Sequence, residues 1–332
     1  MIQQRAISGL RVAAAVFVVG LMASMLHAQE RSASSDAVTR VALVHLADPG
    51  ADVIGVHVTA ESLRQAIAYF EEGDRPQVLV LRLATDGGQI AEVLQLADMI
   101  HKELLPETRI VLWVERARSA GAMLAASVPE VVVTSNAIIG PARAHDRADP
   151  DDPDLVDDDL ATVLAIGVRL SELGKRDPAM LRAMQVPVGY ALEDGSVLTA
   201  EGELLALDAE SAVRIGFAKS IADDLPALLG AVGVQEHRLV GERVDRTLMS
   251  IRNNLVEAER RMIDAWVQLD ELLERVEGTT PQRRDIVLAG RDLRVLRHGV
   301  SQHPRLAEHM GVTGALLDDR QSRIDALIAR LP

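Results

Sequence analysis

The sequence predicts an α/β fold, with a parallel sheet built from strand–helix repeats and a separate α-helical region behind it. Three observations carry this prediction. Short apolar runs alternate with helix-length amphipathic stretches between residues 41 and 139. Those runs are apolar at successive positions, as strands covered on both faces require. From Leu248 onward the apolar residues instead follow a heptad spacing.

The elements follow in order. Residues 41–46 (VALVHL) read as a buried strand, and 61–70 (ESLRQAIAYF) have helical spacing. Residues 77–83 (QVLVLRL) form a second strand. Residues 90–104 form an amphipathic helix whose apolar members are Ile90, Val93, Leu94, Leu96, Ala97 and Ile100. Residues 110–114 (IVLWV) are a third strand, 120–126 begin a third helix, 131–134 (VVVT) are a fourth strand, and 138–140 (IIG) are a short fifth. Residues 143–160 (RAHDRADPDDPDLVDDDL) are acidic, contain proline and read as a solvated loop. Their oxygens would suit Ca²⁺, but the spacing matches no EF-hand. A helix over 161–173 ends at Gly174. Residues 202–230 begin as a strand, continue as a short helix capped at Asp208 and stopped at Gly216, and close with a strand at 218–221 and a final helix.

The tail carries Leu248, Ile251, Leu255, Ala258, Met262, Ala265, Leu269, Leu272 and Val276 at alternating steps of three and four. That coiled-coil-like seam is broken by Gly278 and Pro281. Helices over 283–297 and 312–331 complete an antiparallel hairpin or small bundle, which packs on the sheet domain or mediates assembly.

Composition narrows the function. The chain has 332 residues, 48% of them hydrophobic but only 2% aromatic, so the core is aliphatic. A net charge of -14 argues against nucleic acid, since phosphate binding needs basic side chains that release counterions. It also disfavours docking on an anionic membrane face. From residue 241 onward fifteen arginines balance fifteen acidic residues, so the negative charge lies before that point and a domain boundary is expected near 240. No cysteine is present, which removes thiol nucleophiles and disulfides. Lysine is confined to Lys102, Lys175 and Lys219.

The N-terminus suggests export. Arg5 and Arg11 precede an apolar run at 12–26, shorter than the roughly 20 residues of a spanning helix. Residues 1–28 therefore read as a signal peptide cleaved after Ala28, or as an uncleaved N-terminal anchor that gives membrane association. The expected organisation is this segment, a domain at 38–235, and a helical region at 241–332.

Two loops follow the strands on the side where such sheets bind ligands. One is ATDGG at residues 84–88. The other holds Ser119, in ERARSAGAML. The bland reading of Ser119 is a helix N-cap. The sharper one is a nucleophile at a helix start, with small neighbours that let a substrate backbone approach. Backbone N–H groups of Gly87, Gly88 and Ala120 would then face a developing oxyanion.

LRLATDGG at 81–88, SAGA at 119–122 and Ile139-Gly140, in this order, resemble the ClpP/crotonase superfamily. They are closest to its membrane-associated serine peptidases of the NfeD and signal-peptide-peptidase A type. The resemblance covers roughly residues 38–235. It implies a crotonase fold, Ser119 as nucleophile, and Gly87, Gly88 and Ala120 as the oxyanion hole. It also implies a neutral lysine as base, a peptide or protein substrate, no cofactor or metal, and assembly into homo-oligomers. The sequence departs from the pattern in three places. Asp157, Asp158 and Asp159 occupy the segment where relatives carry the lysine, Asp86 replaces a usual proline, and Arg143 replaces a common histidine. Among the lysines, Lys175 is the leading substitute base, with Lys102 and Lys219 read as surface residues. His145, oriented by Asp194, ranks second.

The expected function is an exported serine endopeptidase. The alternative is a catalytically degenerate scaffold that binds a peptide or protein partner. A crotonase-type enzyme acting on acyl-CoA fits poorly with a secretory start and with the lack of a basic cluster for the CoA phosphates.

Overall fold

Alternation along each strand decides which face each side chain covers. On the second strand Leu79 and Leu81 enter one core, and Val78 and Val80 the other. On the third, Leu112 and Val114 divide from Val111 and Trp113 in the same way. Both faces are therefore dry, which is why the strands read as unbroken apolar runs. The computed structural model describes residues 38–47, 52–143 and 153–331, with the backbone alone for 153–159. The segment at 1–28 lies outside the described residues, as does most of the acidic loop with His145.

The strands are β1 (Thr39–Ala47), β2 (Val78–Thr85), β3 (Arg109–Ala117), β4 (Val131–Ile139), β7 (Leu207–Asp208) and β8 (His237–Leu239), in the order β7-β4-β3-β2-β1-β8. β1 to β4 and β8 are parallel, and β7 closes the far edge antiparallel to β4. The crossovers are α1 (Ala60–Ile67), α2 (Ile90–Met99, continued by a π turn at Ile100–Leu104) and α3 (Ala120–Ser127). Then come α4 (Pro153–Leu173), α5 (Pro178–Gln185), a hairpin of β5 (Val188–Ala191) and β6 (Val197–Glu201), α6 (Ala209–Arg214) and α7 (Leu225–Ala231). Leu228, Leu229 and Val232, at and just beyond α7, cover the second face of the sheet.

The tail is α8 (Glu242–Glu277), α9 (Arg283–Gln302), α10 (Pro304–His309) and α11 (Gly314–Ala329). Seam residues Ala258, Met262, Ala265, Leu269, Leu272 and Val276 are buried in a core of their own with Leu293, Leu296 and Leu317.

Three expectations change. Residues 153–160 are helical, not loop; proline in the first helical turn and acidic residues close behind it suit the positive end of a helix. The strand at 131–134 and the short one at 138–140 are a single β4, and 218–221 runs beside β4 through one bridge at Val133 and Ile221 rather than as a full strand. The hairpin, α5 and β8 are additions. Among the described residues no helix is long and apolar enough to cross a membrane.

Candidate active site

β2 and β3 are parallel neighbours paired through Ala84 with Arg116 and Thr85 with Ala117. Their following loops therefore leave the sheet side by side at its carboxyl end. The N–H of Arg118 donates to the carbonyl of Thr85 at 3.1 Å, and that of Ser119 to the carbonyl of Pro141 at 2.8 Å. These bonds tie the turn to both flanking strands.

Ser119 has φ 48° and ψ -122°, a left-handed conformation that costs a non-glycine residue energy. Its side chain makes no capping hydrogen bond, so the N-cap role fails, and the half-buried hydroxyl has no hydrogen-bond partner among the described residues. The small residues behind it have a packing cause. Every residue of α3 is buried, and a Cβ on Gly121 would lie 2.5 Å from Thr85 Cγ2. The helix is small so that it can lie on the end of β2.

The glycine loop is shaped by its neighbours. Gly87 (φ 133°) and Gly88 (φ 147°) both need the freedom of glycine. A Cβ on Gly88 would overlap the backbone of Ile54, at 2.1 Å from its oxygen. The N–H of Gly87 donates to Thr85 Oγ1 at 3.1 Å, and that hydroxyl donates to the carbonyl of Asp52 at 2.7 Å. The carbonyl of Gly87 accepts from Ile54 N–H, and the carbonyl of Ile54 accepts from Gln89 N–H, both at 2.9 Å. Gly87 is therefore committed on both sides. The N–H groups of Gly88 and Ala120 make no hydrogen bond among the described residues. Two such donors, one in the loop after β2 and one at the start of α3, are the kind of group that stabilises a tetrahedral oxyanion. Thr85 is the residue that sequence reasoning missed. Its signal was a threonine two positions before a glycine whose N–H needs a partner.

The lysines are elsewhere. Gly174 packs so closely on the last turn of α3 that a Cβ there would lie 1.9 Å from the carbonyl oxygen of Ala126. Lys175 follows it, exposed, at φ 58°. Ser119 begins the same helix, whose eight residues span about 12 Å. Lys175 thus sits at the amino end of the strands and Ser119 at the carboxyl end, so the two are not brought together. Lys219 binds Glu130 at 3.1 Å, with its N–H on the carbonyl of Val131, where β4 starts. Lys102 binds Asp98 at 2.9 Å, and its neighbour His101 reaches the carbonyl of Ser127. All three lysines belong to the far end of the sheet. That end is held by Arg176, which donates to the carbonyls of Ala126, Val128, Gly174 and Phe217. Burial pushes its pKa down to about 10, so it stays protonated at neutral pH.

Arg116 reaches Asp86 at 3.3 Å, and Arg118 and Arg143 are exposed. Asp194 is occupied by its own turn, accepting from the N–H and hydroxyl of Ser196, and those bonds hold its pKa below the usual range. Among the described residues no three His, Asp or Glu side chains gather as a metal site would need.

The family of the NfeD1b N-terminal domain matches residues 57–241. The Membrane protein NfeD1b of Bacillus subtilis (strain 168) is 28% identical over 167 residues, which make up 48% of this chain and 35% of that protein. The match thus spans about a third of the relative's length. Among solved structures, a serine-to-alanine mutant of the 1510-N membrane-bound stomatin-specific protease is 16% identical with a TM-score of 0.42, covering 61% of this chain and 97% of that one. A lysine-to-alanine mutant of the same protease, in complex with a substrate peptide, gives 16% and 0.42 over 63% and 90%.

Proposed function

The chain belongs to the family of the NfeD1b N-terminal domain, and from that premise we propose that it is an exported serine endopeptidase with Ser119 as nucleophile. The observation that carries this reading is the Ser119 hydroxyl, which has no hydrogen bond among the described residues, stands on a strained backbone against Gly87 and directly precedes Ala120, while the N–H groups of Gly88 and Ala120 also lack partners there. In the proposed reaction Ser119 Oγ attacks the scissile carbonyl, and its oxygen gathers negative charge against those two donors. The serine proton passes to the base and then to the leaving amine. Water hydrolyses the acyl-enzyme by the same route. We assign the base to His145. No lysine stands at this end of the sheet, and His145 follows Pro141, whose carbonyl holds Ser119, by four residues. A neutral imidazole suits the task near pH 7. Residues 38–235 would form the peptidase domain and 1–28 the export signal or membrane anchor, with a peptide or protein as substrate and homo-oligomers as the working assembly.

A second reading, a degenerate scaffold that binds a peptide or protein, draws on the position of all three lysines away from Ser119. Intact mass after incubation with a fluorophosphonate separates the two. The peptidase reading expects one adduct on the wild type, none on Ser119→Ala, and at least tenfold slower labelling of His145→Ala. A folded wild type that takes no adduct would leave the scaffold.

A further inference from the structure

Segment 52–58, between β1 and α1, touches the glycine loop on one side and the C-terminal helices on the other. Toward the loop, Ile54 supplies the N–H that binds Gly87 and the carbonyl that binds Gln89, while the carbonyl of Asp52 receives the Thr85 hydroxyl. Toward the helices, the Asp52 carboxylate pairs with Arg252 of α8 at 3.1 Å, with side chains only 3% and 4% exposed. Arg252 also donates to the carbonyl of His45 at 3.0 Å, which fixes the end of β1. His57, 1% exposed, accepts Val53 N–H at Nδ1 and turns Nε2 to Glu259 at 3.2 Å. Val56 is buried in the core of the helical region, not in that of the sheet. A further tie lies on α2, which starts just after the glycines. Glu92, nearly buried, accepts Ala60 N–H at 2.7 Å and pairs with Arg305 of α10 at 2.8 Å.

These contacts form a chain, Arg252, Asp52, Thr85, Gly87, that ends beside the candidate oxyanion donor Gly88. We propose that Arg252 is a positioning residue, and that the C-terminal helical region is the back wall of the glycine loop, holding Gly87 and Gly88 opposite Ser119. Its catalytic consequence rests on the peptidase reading; its structural content does not. Arg252 touches neither substrate nor Ser119. It acts by holding segment 52–58, and a buried ion pair broken on one side leaves the other charge uncompensated, so the segment must move. The donors of an oxyanion hole act through fixed geometry, so a loosened loop lowers reactivity at Ser119 without removing any reacting group.

The test uses the full chain and two readouts. Amide hydrogen exchange in 52–58 and 84–90 should rise at least tenfold in Arg252→Met and in Thr85→Val, with 131–139 unchanged. Labelling of Ser119 by the fluorophosphonate should fall at least tenfold in both, and Arg252→Lys should recover to within about threefold of the wild type. Unchanged exchange in 84–90 in folded Arg252→Met, or a rise spread evenly over the domain, overturns the proposal. If the wild type takes no label, the peptidase reading fails and exchange alone decides this one. If Arg252→Met does not fold, Thr85→Val and Arg252→Lys carry the test on the same segments.

Discussion

A methyl group on Gly87 would lie 2.7 Å from Ser119 Cβ and 3.2 Å from its Oγ. The two residues are in contact across adjacent loops, and only hydrogen on the Gly87 α-carbon leaves room for the serine. Gly87→Ala should therefore displace Ser119 and also strain a backbone at φ 133°, costing about 1–3 kcal/mol. Fluorophosphonate labelling should fall at least tenfold while β-sheet circular dichroism persists. Labelling at the wild-type rate in a folded variant would remove the contact from the argument.

Arg176 closes the opposite end of α3. One guanidinium serves four carbonyls there and stacks on Phe217 at 4.4 Å. Charged hydrogen bonds of this kind contribute roughly 1.5–3 kcal/mol each, and not additively. Arg176→Met should cost about 3 kcal/mol in urea unfolding. A loss below about 1 kcal/mol would mean that water serves those carbonyls equally well.

Asp245 links α8 to β1. Burial alone would raise its pKa, but hydrogen bonds from the ring and the backbone N–H of His45 hold it below the ordinary value. A carboxylate lowered in the folded state stabilises fully above its unfolded pKa, about 3.9. That contribution is lost as pH falls through the lower native value. Asp245→Asn should thus be less stable than the wild type at pH 7, and the gap should close on acidification below pH 4. A gap that stays constant from pH 7 to pH 3 would contradict the assignment.

Trp113 lies in the core of the sheet and Trp266 against that of the helices. Because buried ion pairs join the two regions, urea should unfold them together. Trp113→Phe and Trp266→Phe variants, each reporting through its remaining tryptophan, should give coincident midpoints. Two separated midpoints would make the helices an independent unit.

The parallel strands were legible because a sheet buried on both faces needs unbroken apolar runs, and the tail because a helix must repeat its apolar residues to bury them. The order of motifs along the chain placed the glycine loop and Ser119 after neighbouring strands, and there they stand. Other features depend on partners far away in sequence. Spacing placed Lys175 just past a helix end, but not at which end of the sheet that helix finishes. Glu115 and Arg116 extend β3 because the strand runs beyond its core toward the loops, where polar side chains are tolerated. Residues 153–160 show no helical apolar spacing in the sequence, so the early start of α4 was not legible there. Segment 52–58 carries no sign of its role, since Arg252 and Glu259 are specified far downstream.

Glu92 and Arg305 are separated by 213 residues. A ribosome delivers the carboxylate long before the guanidinium, and Asp52 likewise precedes Arg252. Until α8 and α10 emerge, the nascent sheet holds acidic side chains in an apolar setting without their cations. Such a sheet resists closing early. The glycine loop, although its own residues are made early, then reaches its final shape only after Arg252 and Arg305 have been added.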